Sequence, residues 1–553
     1  MICKVVLPDK SIMNLEVKEN ATVEDLLPSI HWEYPILSCR VFQRYRRLDK
    51  VIRENCEIEL FDLKNAYANM SYQMSLIMVY LKAVRDVAGS KATIHIANSI
   101  SKGLYTTIYH TEMSKYELAE RVEKKMHEIV DADRPIKQVK VDRDTLLKAV
   151  ETDDAFRYEK RIVKSAYDLH DGFITELDDE KHIFYQYLLP STKYLNLFEL
   201  KVYRKGIVLR FPHPNDPNHL IPFEEQNLLY EAFSEERSWE KLLGINDVSD
   251  LNESIIKKDY KNTILLSEAL HEKKIADIAT MIRDKKKRVV LIAGPSSSGK
   301  TSFAKRLCIQ LRVIGLKPLY LGTDDYFINR KDVPREKDGT QDFEALSAVD
   351  VDLFTKQMNA LLDHQEVDLP EYDFVKGEKV YGKRIVQLSD NQIIVIEGIH
   401  GLNPKLTEGI DSKEKFKIYI SPLTQLTADR YHRIPTTDAR MLRRLVRDNR
   451  TRNTSAEKTI ESWSSVRNGE EKNIFPYNDQ ADIFFNSQCV YELSILKKYA
   501  EPLLKEIPND SEQYEEAQRM LKFLEFFVTL QDESCIPNNS IIREFIGGSV
   551  IAS

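Results

Sequence analysis

Three short apolar runs stand out in the second half of the chain, at Val289–Ala293, Pro318–Gly322 and Gln392–Ile396. Runs of this length without polar alternation predict strands covered on both faces, as in a parallel sheet flanked by helices. A helix is predicted over Ser302–Val313, between the first two runs. The front of the chain is patterned differently. Cys3–Leu7 and Asn14–Val17 read as short strands around the turn Pro8–Ser11. Thr22, with Asp25 three residues on, predicts the capped start of a short helix through Leu27. Val41–Phe42 and Glu57–Phe61 supply later strands, which makes residues 1–63 a small β-rich unit in β-grasp order.

From about residue 70 to 232 the pattern predicts an α+β unit. It has an apolar-rich helix (Gln73–Val87), strands at Lys91–Ala97 and Gly103–His110, and a charged helix (Lys115–Ile129). Strands follow at Phe184–Leu189, Phe198–Arg204 and Ile207–Phe211. A charged helical connector over 233–285 leads to an α/β unit over 286–507. A final helix (Ser511–Leu530) and a tail (Ile536–Ser553) make up 508–553.

Composition narrows the class. The 553 residues include 42% hydrophobic and 30% charged positions, with a formal net charge of −7. These values suit an ordinary globular core and argue against a generally basic, nucleic-acid-coating surface. The six cysteines are scattered without a C-x-x-C pair, so neither a disulfide framework nor a zinc ribbon is indicated. No run approaches the ~18 apolar residues of a membrane span, and the N-terminus lacks a signal-peptide core. A cytoplasmic protein is expected.

Chemistry enters at Gly294-Pro295-Ser296-Ser297-Ser298-Gly299-Lys300-Thr301, which follows the first apolar run directly. This is G-x-x-x-x-G-K-[ST] between a strand and a helix. The glycines let the backbone curl so that successive N–H groups face phosphate oxygens. Lys300 would reach the β- and γ-phosphates of ATP, and the Thr301 hydroxyl would bind Mg²⁺. Asp324 and Asp325 follow the second run, where open α/β sheets bind ligands; one of them could take a proton from an attacking hydroxyl or help hold the metal. Glu397 ends the third run as a carboxylate delivered to the metal. Between Asp429 and Arg452 stand eight arginines, no lysine and three aspartates. Such a stretch suits a lid over phosphates, with a basic surface for RNA as the alternative.

The P-loop, Thr323-Asp324-Asp325-Tyr326-Phe327, Pro370-Glu371-Tyr372-Asp373-Phe374, Ile396-Glu397-Gly398 and Arg443-Arg444-Leu445-Val446-Arg447-Asp448 occur in one order. Over about 286–500 that order resembles the uridine kinase/phosphoribulokinase family, whose fold is an α/β P-loop NTPase. The resemblance implies Asp324 as the catalytic aspartate, acting with Lys300 and Arg447. It implies Thr301, Asp324 and Glu397 around the metal, and Arg444, Arg447 and Arg452 on the phosphates. Tyr326, Phe343, Glu344, Tyr372 and Phe374 would border the acceptor. Two positions depart from the family. Glu344 replaces an Asp that grips ribose hydroxyls, and Gly377 replaces a histidine that reads the pyrimidine.

Residues 1–63 resemble a TGS domain, and 70–232 resemble the second additional domain of threonyl-tRNA synthetases. Helix Tyr72–Val84 holds no histidine and no cysteine occurs between Cys56 and Cys308, so the synthetase editing site cannot be assembled. The whole layout is similar to a bacterial uridine-kinase-like subgroup. It implies an ATP- and Mg²⁺-dependent nucleoside kinase, with a sugar-type metabolite kinase as the alternative acceptor class. A nucleotide-switched, RNA-associated regulator, contacting RNA through the N-terminal modules, is the alternative of another class. A homo-oligomer stays open.

Overall fold

The computed structural model describes residues 1–335, 341–342, 344–424 and 426–552. Strands β1 (Ile2–Val6), β2 (Ile12–Glu16), β3 (Ile36–Val41), β4 (Arg44–Arg46) and β5 (Glu57–Asp62) form one mixed sheet. Its order is β2-β1-β5-β3-β4, with β1 and β5 parallel at the centre. The predicted helix after Thr22 is a 3₁₀ turn, Glu24–Ser29, containing Pro28. Its start is a reciprocal cap: the Thr22 N–H donates to Asp25 (2.8 Å) and the Asp25 N–H donates to the Thr22 hydroxyl (3.3 Å).

Helix α1 (Ala66–Ala88) follows, its first N–H groups capped by the Asn65 side chain. Next come β6 (Thr93–Ile100), β7 (Gly103–Tyr109), α2 (Lys115–Asp131), β8 (Lys137–Asp142), α3 (Arg143–Thr152), α4 (Lys160–Ser165), β9 (Asp171–Leu177), β10 (Glu180–Phe184), β11 (Glu199–Tyr203) and β12 (Gly206–Arg210). They build a four-stranded sheet, β11-β12-β7-β6, and a three-stranded one, β10-β9-β8. Leu118, Val122, Met126 and Ile129 recur at helical spacing on α2 and are buried, while its charged residues face outward. The strand expected at Phe184–Leu189 lies earlier, at β10. Tyr185, Leu188 and Leu189 are buried without a ladder partner, so their apolar character marks core rather than strand.

Helices α5 (Asn227–Leu243), α6 (Val248–Ile256) and α7 (Tyr260–Asp284) lead to the second half. There the order is β13 (Val289–Ala293), α8 (Lys300–Val313), β14 (Lys317–Gly322), α9 (Val351–Leu362), β15 (Val367–Asp373), β16 (Glu378–Val386), β17 (Gln392–Glu397), α10 (Pro404–Thr407) and β18 (Lys415–Ser421). It continues with α11 (Thr436–Arg452), α12 (Ala456–Asn473), β19 (Ile483–Asn486), α13 (Glu492–Lys505), α14 (Tyr514–Leu524) and α15 (Arg543–Ile546). A five-stranded sheet, β14-β17-β13-β18-β19, is parallel throughout. Every residue of its central strand β13 is buried, as the unbroken apolar run requires. This is a parallel α/β sheet with the glycine-rich loop at the carboxyl end of its central strand. The predicted helix Ser511–Leu530 is shorter, ending at Leu524, because Phe526, Phe527 and Leu530 turn into the core.

One hydrophobic core runs through this half and beyond it. Leu146, Val150, Ile162 and Val163 of α3 and α4 share it with α6, α7 and the parallel sheet. Among the described residues no helix is long and apolar enough to cross a membrane.

Two sheet ends meet tightly where the site begins. A Cβ on Gly398, just past β17, would overlap the side chain of Thr323, just past β14. That glycine lets the loops carrying Glu397 and Asp324 abut. Gly398→Ala is expected to cost about 2 kcal/mol through this overpacking, read as a lower thermal midpoint of the full chain.

Candidate active site

The loop between β13 and α8 takes the curled form that its glycines allow. Gly299 has φ +81°, and a Cβ there would lie 2.5 Å from the Ile541 side chain. Ser297 has φ +59°, unusual for a residue with a side chain. The loop ends at the N-terminus of α8, where N–H groups without intrahelical partners and the helix dipole favour an anion. The Lys300 ammonium donates to the Gly294 (3.0 Å) and Pro295 (3.1 Å) carbonyls, folded back on its own loop. Burial lowers its pKa, while the charges of Glu397 and Asp324 oppose the shift.

Thr301, Glu397 and Asp324 come together. The Thr301 hydroxyl donates to Glu397 Oε1 (2.9 Å), and the Tyr320 hydroxyl donates to the same oxygen (3.1 Å). Asp324 opens onto the cleft yet is crowded by protein. Loss of solvent, reinforced by the Glu397 charge, raises its pKa to about 6. The two carboxylates, next to a threonine hydroxyl, form an oxygen-rich donor set that fits a hard divalent cation. Asp325 is committed elsewhere, to Arg384 at 3.0 Å.

The acceptor-side residues are only partly assembled. Tyr372 and Phe374 meet edge-on with centroids 5.1 Å apart, and Phe327 joins Tyr372 at 5.7 Å, forming an aromatic wall beyond Asp324. Tyr326 is not part of that wall. It is 1% exposed, and its hydroxyl donates to Gln357 inside the core (3.0 Å). Phe343 lies outside the described residues. Glu344 is half-buried against α12 at Gly469, on the phosphate side; burial raises its pKa and Glu470 adds to the shift. Gly377 has φ +74° and is crossed by Arg330, whose guanidinium donates to the Phe374 carbonyl (2.7 Å).

The arginine stretch is not a detached lid. From Thr436 on it forms α11, packed into the core, and the arginines of that helix divide by face. Arg443 is fully buried and spends all its donors: on Glu492 (2.5 and 2.6 Å), on Ser487 (oxygens at 2.9 and 3.2 Å) and on the Ser297 carbonyl of the P-loop (3.2 Å). Arg440, also buried, pairs with Glu470, donates to the Ser296 carbonyl (3.1 Å) and lies over Trp463. Arg444 donates to the Ser296 hydroxyl (3.0 Å), while Arg447 and Arg452 pair with Asp448. Sequence reasoning missed Tyr320, Glu470, Glu492 and Glu544 as neighbours of the loop. They come from distant segments, and no local spacing marks them.

Two outcomes follow. In the nucleotide-free protein, ¹³C-carboxyl NMR should show Asp324 titrating near pH 6, and lower in Glu397→Gln, where the repelling charge is gone. The native protein then holds this proton more tightly than the unfolded chain, so ionising Asp324 opposes folding as pH rises from 3.8 to about 6. Arg443→Met strands the buried Glu492 carboxylate. It should destabilise the fold by about 3–5 kcal/mol in chemical denaturation.

Residues 289–494 match the family described as Phosphoribulokinase / Uridine kinase family. The chain is 29% identical over 203 residues to a uridine kinase of Ligilactobacillus salivarius, covering 36% of this chain and 85% of that protein. It is 32% identical over 123 residues to uridine-cytidine kinase C of Dictyostelium discoideum, covering 22% of this chain and 25% of that protein. A solved structure described as a possible uridine kinase from Bacillus stearothermophilus aligns with 38% of this chain and 98% of its own, at 22% identity and a TM-score of 0.27. The C-terminal half of the chain therefore carries a phosphoribulokinase/uridine kinase family domain, the domain of an ATP-dependent kinase.

Proposed function

We propose that the protein transfers the γ-phosphoryl group of ATP to the 5′-hydroxyl of a nucleoside. The observation that carries this reading is the placement of Asp324: an exposed carboxylate just past β14, beside Lys300 and Glu397, with Phe327 three residues on joining the aromatic wall of Tyr372 and Phe374; its pKa is raised to about 6. A base with a pKa near neutrality is matched to accepting a hydroxyl proton. The names of the similar proteins, uridine kinase and uridine-cytidine kinase, point to the same acceptor class.

In this reading Gly294–Thr301 cradle the ATP phosphates. Lys300 leaves the Gly294 and Pro295 carbonyls to reach them, and Arg444, Arg447 and Arg452 lie on the same side. Asp324 takes the proton of the attacking 5′-hydroxyl. The new O5′–Pγ bond forms as the bond from Pγ to the β–γ bridging oxygen breaks, and ADP leaves with that electron pair. A Mg²⁺ ion held by Thr301, Glu397 and Asp324 would neutralise phosphate charge. Most of the acceleration then comes from positioning and fixed charge. Tyr372 and Phe374 border the nucleoside, and Glu344 faces the phosphate side. With Arg330 lying over Gly377, base selectivity differs from that of enzymes reading pyrimidine through a histidine.

Residues 1–63 fit a TGS-like β-grasp module, supported by the β2-β1-β5-β3-β4 order around a parallel β1–β5 pair. Residues 70–232 fit a synthetase-like scaffold that lacks the editing residues, and 233–285 form the connector. Contact with RNA through these modules, a cytoplasmic location and self-association complete the proposal.

A panel of uridine, cytidine, purine nucleosides and ribulose 5-phosphate, assayed with MgATP on the full chain, tests the acceptor. Phosphorylation of uridine or cytidine is expected, and turnover confined to the sugar phosphate would move the protein to the metabolite-kinase class. Asp324→Asn should lower kcat by about 10²–10⁴-fold while MgATP still binds. Near-normal turnover in that variant would remove Asp324 from the base role.

A further inference from the structure

Two N–H donors at the phosphate-binding end, one in the P-loop and one at the head of α8, already have carboxylate partners. The Ser296 N–H donates to Glu470 Oε1 (3.0 Å). At the head of α8, the Ser302 N–H (3.3 Å) and hydroxyl (2.6 Å) both donate to Glu544 Oε2. The N-terminus of a helix behind a glycine-rich loop is where a phosphate oxygen is bound, and a carboxylate oxygen satisfies the same donors. Glu544 is also near enough for its charge to act on Lys300.

This contact is built rather than incidental. Glu544 belongs to α15, whose neighbours Ile541, Ile542 and Phe545 are fully buried. The Ile541 side chain covers Gly299. Arg450 of α11 donates to the Glu544 (2.8 Å) and Phe545 (3.1 Å) carbonyls, and the Arg443 guanidinium lies over the Phe545 ring at 4.8 Å. The helix that braces the P-loop from one side thus also clamps the segment that caps it.

We propose that residues 541–547 are a built-in competitor for nucleotide: Glu544 holds Ser302 in place of a phosphate oxygen, and MgATP binds by displacing it. This rests on the reading of Gly294–Thr301 as the ATP site. Affinity for nucleotide is then set partly by a segment that contributes nothing to the acceptor side. The effect follows the phosphates, so ATP, ADP and pyrophosphate share it and adenosine does not.

The test is calorimetric titration of the full-length protein and of Glu544→Gln with MgATP and with pyrophosphate. The neutral isostere is a weaker competitor, and both ligands should bind about tenfold more tightly. Adenosine affinity should stay unchanged. Equal or weaker MgATP binding by Glu544→Gln would overturn the proposal. Binding of MgATP by neither protein would overturn the P-loop reading, and this one with it. A second measurement needs no variant. In hydrogen exchange on the wild-type chain, MgATP should speed exchange of the 541–547 amides as the segment is released, and slower or unaltered exchange there would also overturn it.

Discussion

The ion pair between Arg443 and Glu492 is the contact on which the nucleotide site depends. Both side chains are excluded from solvent, so neither charge could be tolerated alone. Arg443 meets this constraint with a planar fork: one edge satisfies the carboxylate, and the rest reaches Ser487 and the Ser297 carbonyl. A lysine could not make that set of bonds, because its ammonium lacks the fork geometry. The pair therefore ties α11, the start of α13 and the P-loop into one object. Arg440, with Glu470 and the Ser296 carbonyl, repeats the device one turn earlier. A loop that must bend sharply gains its shape from these braces as much as from its glycines.

The charge balance around the loop follows from this. Arginines bind P-loop carbonyls, while the Ser296 N–H of the loop faces Glu470 and the Ser302 N–H of α8 faces Glu544. Asp324 and Glu397 stand near Lys300, and loss of solvent, reinforced by the Glu397 charge, keeps a proton on Asp324 to about pH 6. The cleft is thus held by acids on the side where phosphates belong and by an uncomfortable acid pair where a cation belongs. On the first side the acids occupy donors that suit an anion, and on the second the paired acids suit a cation.

Much of the catalytic half was legible in the sequence. β13, β14 and β17 follow from unbroken apolar runs, and the loop after β13 from its two glycines and lysine. Thr301, Glu397 and Asp324 lie at strand ends or a helix start, so local pattern was enough to bring them together. The division of labour among the arginines was not legible. Helical spacing groups Arg440, Arg444 and Arg447, and also Arg443, Arg447 and Arg450, on shared faces. Which face is buried depends on α12, α13 and α15, which pack there from elsewhere in the chain. Tyr326 was misplaced for a related reason: the 3₁₀ turn Thr323–Tyr326 sends Asp324 to the cleft and Tyr326 into the core within two residues. Glu470 and Glu544 carry no local mark at all.

The cap on α8 also has a consequence in time. Ser302 and Glu544 are separated by 242 residues. At ~5–20 residues per second, the ribosome needs roughly 10–50 seconds to travel from one to the other. During that interval the P-loop and its helix have emerged while α15 does not yet exist, and neither do Arg443 and Glu492 for most of it. A newborn chain therefore passes through a stage in which the phosphate-binding amides are bare. The braces that shape the loop and the carboxylate that caps it are thus both late arrivals, and the cap is the later of the two.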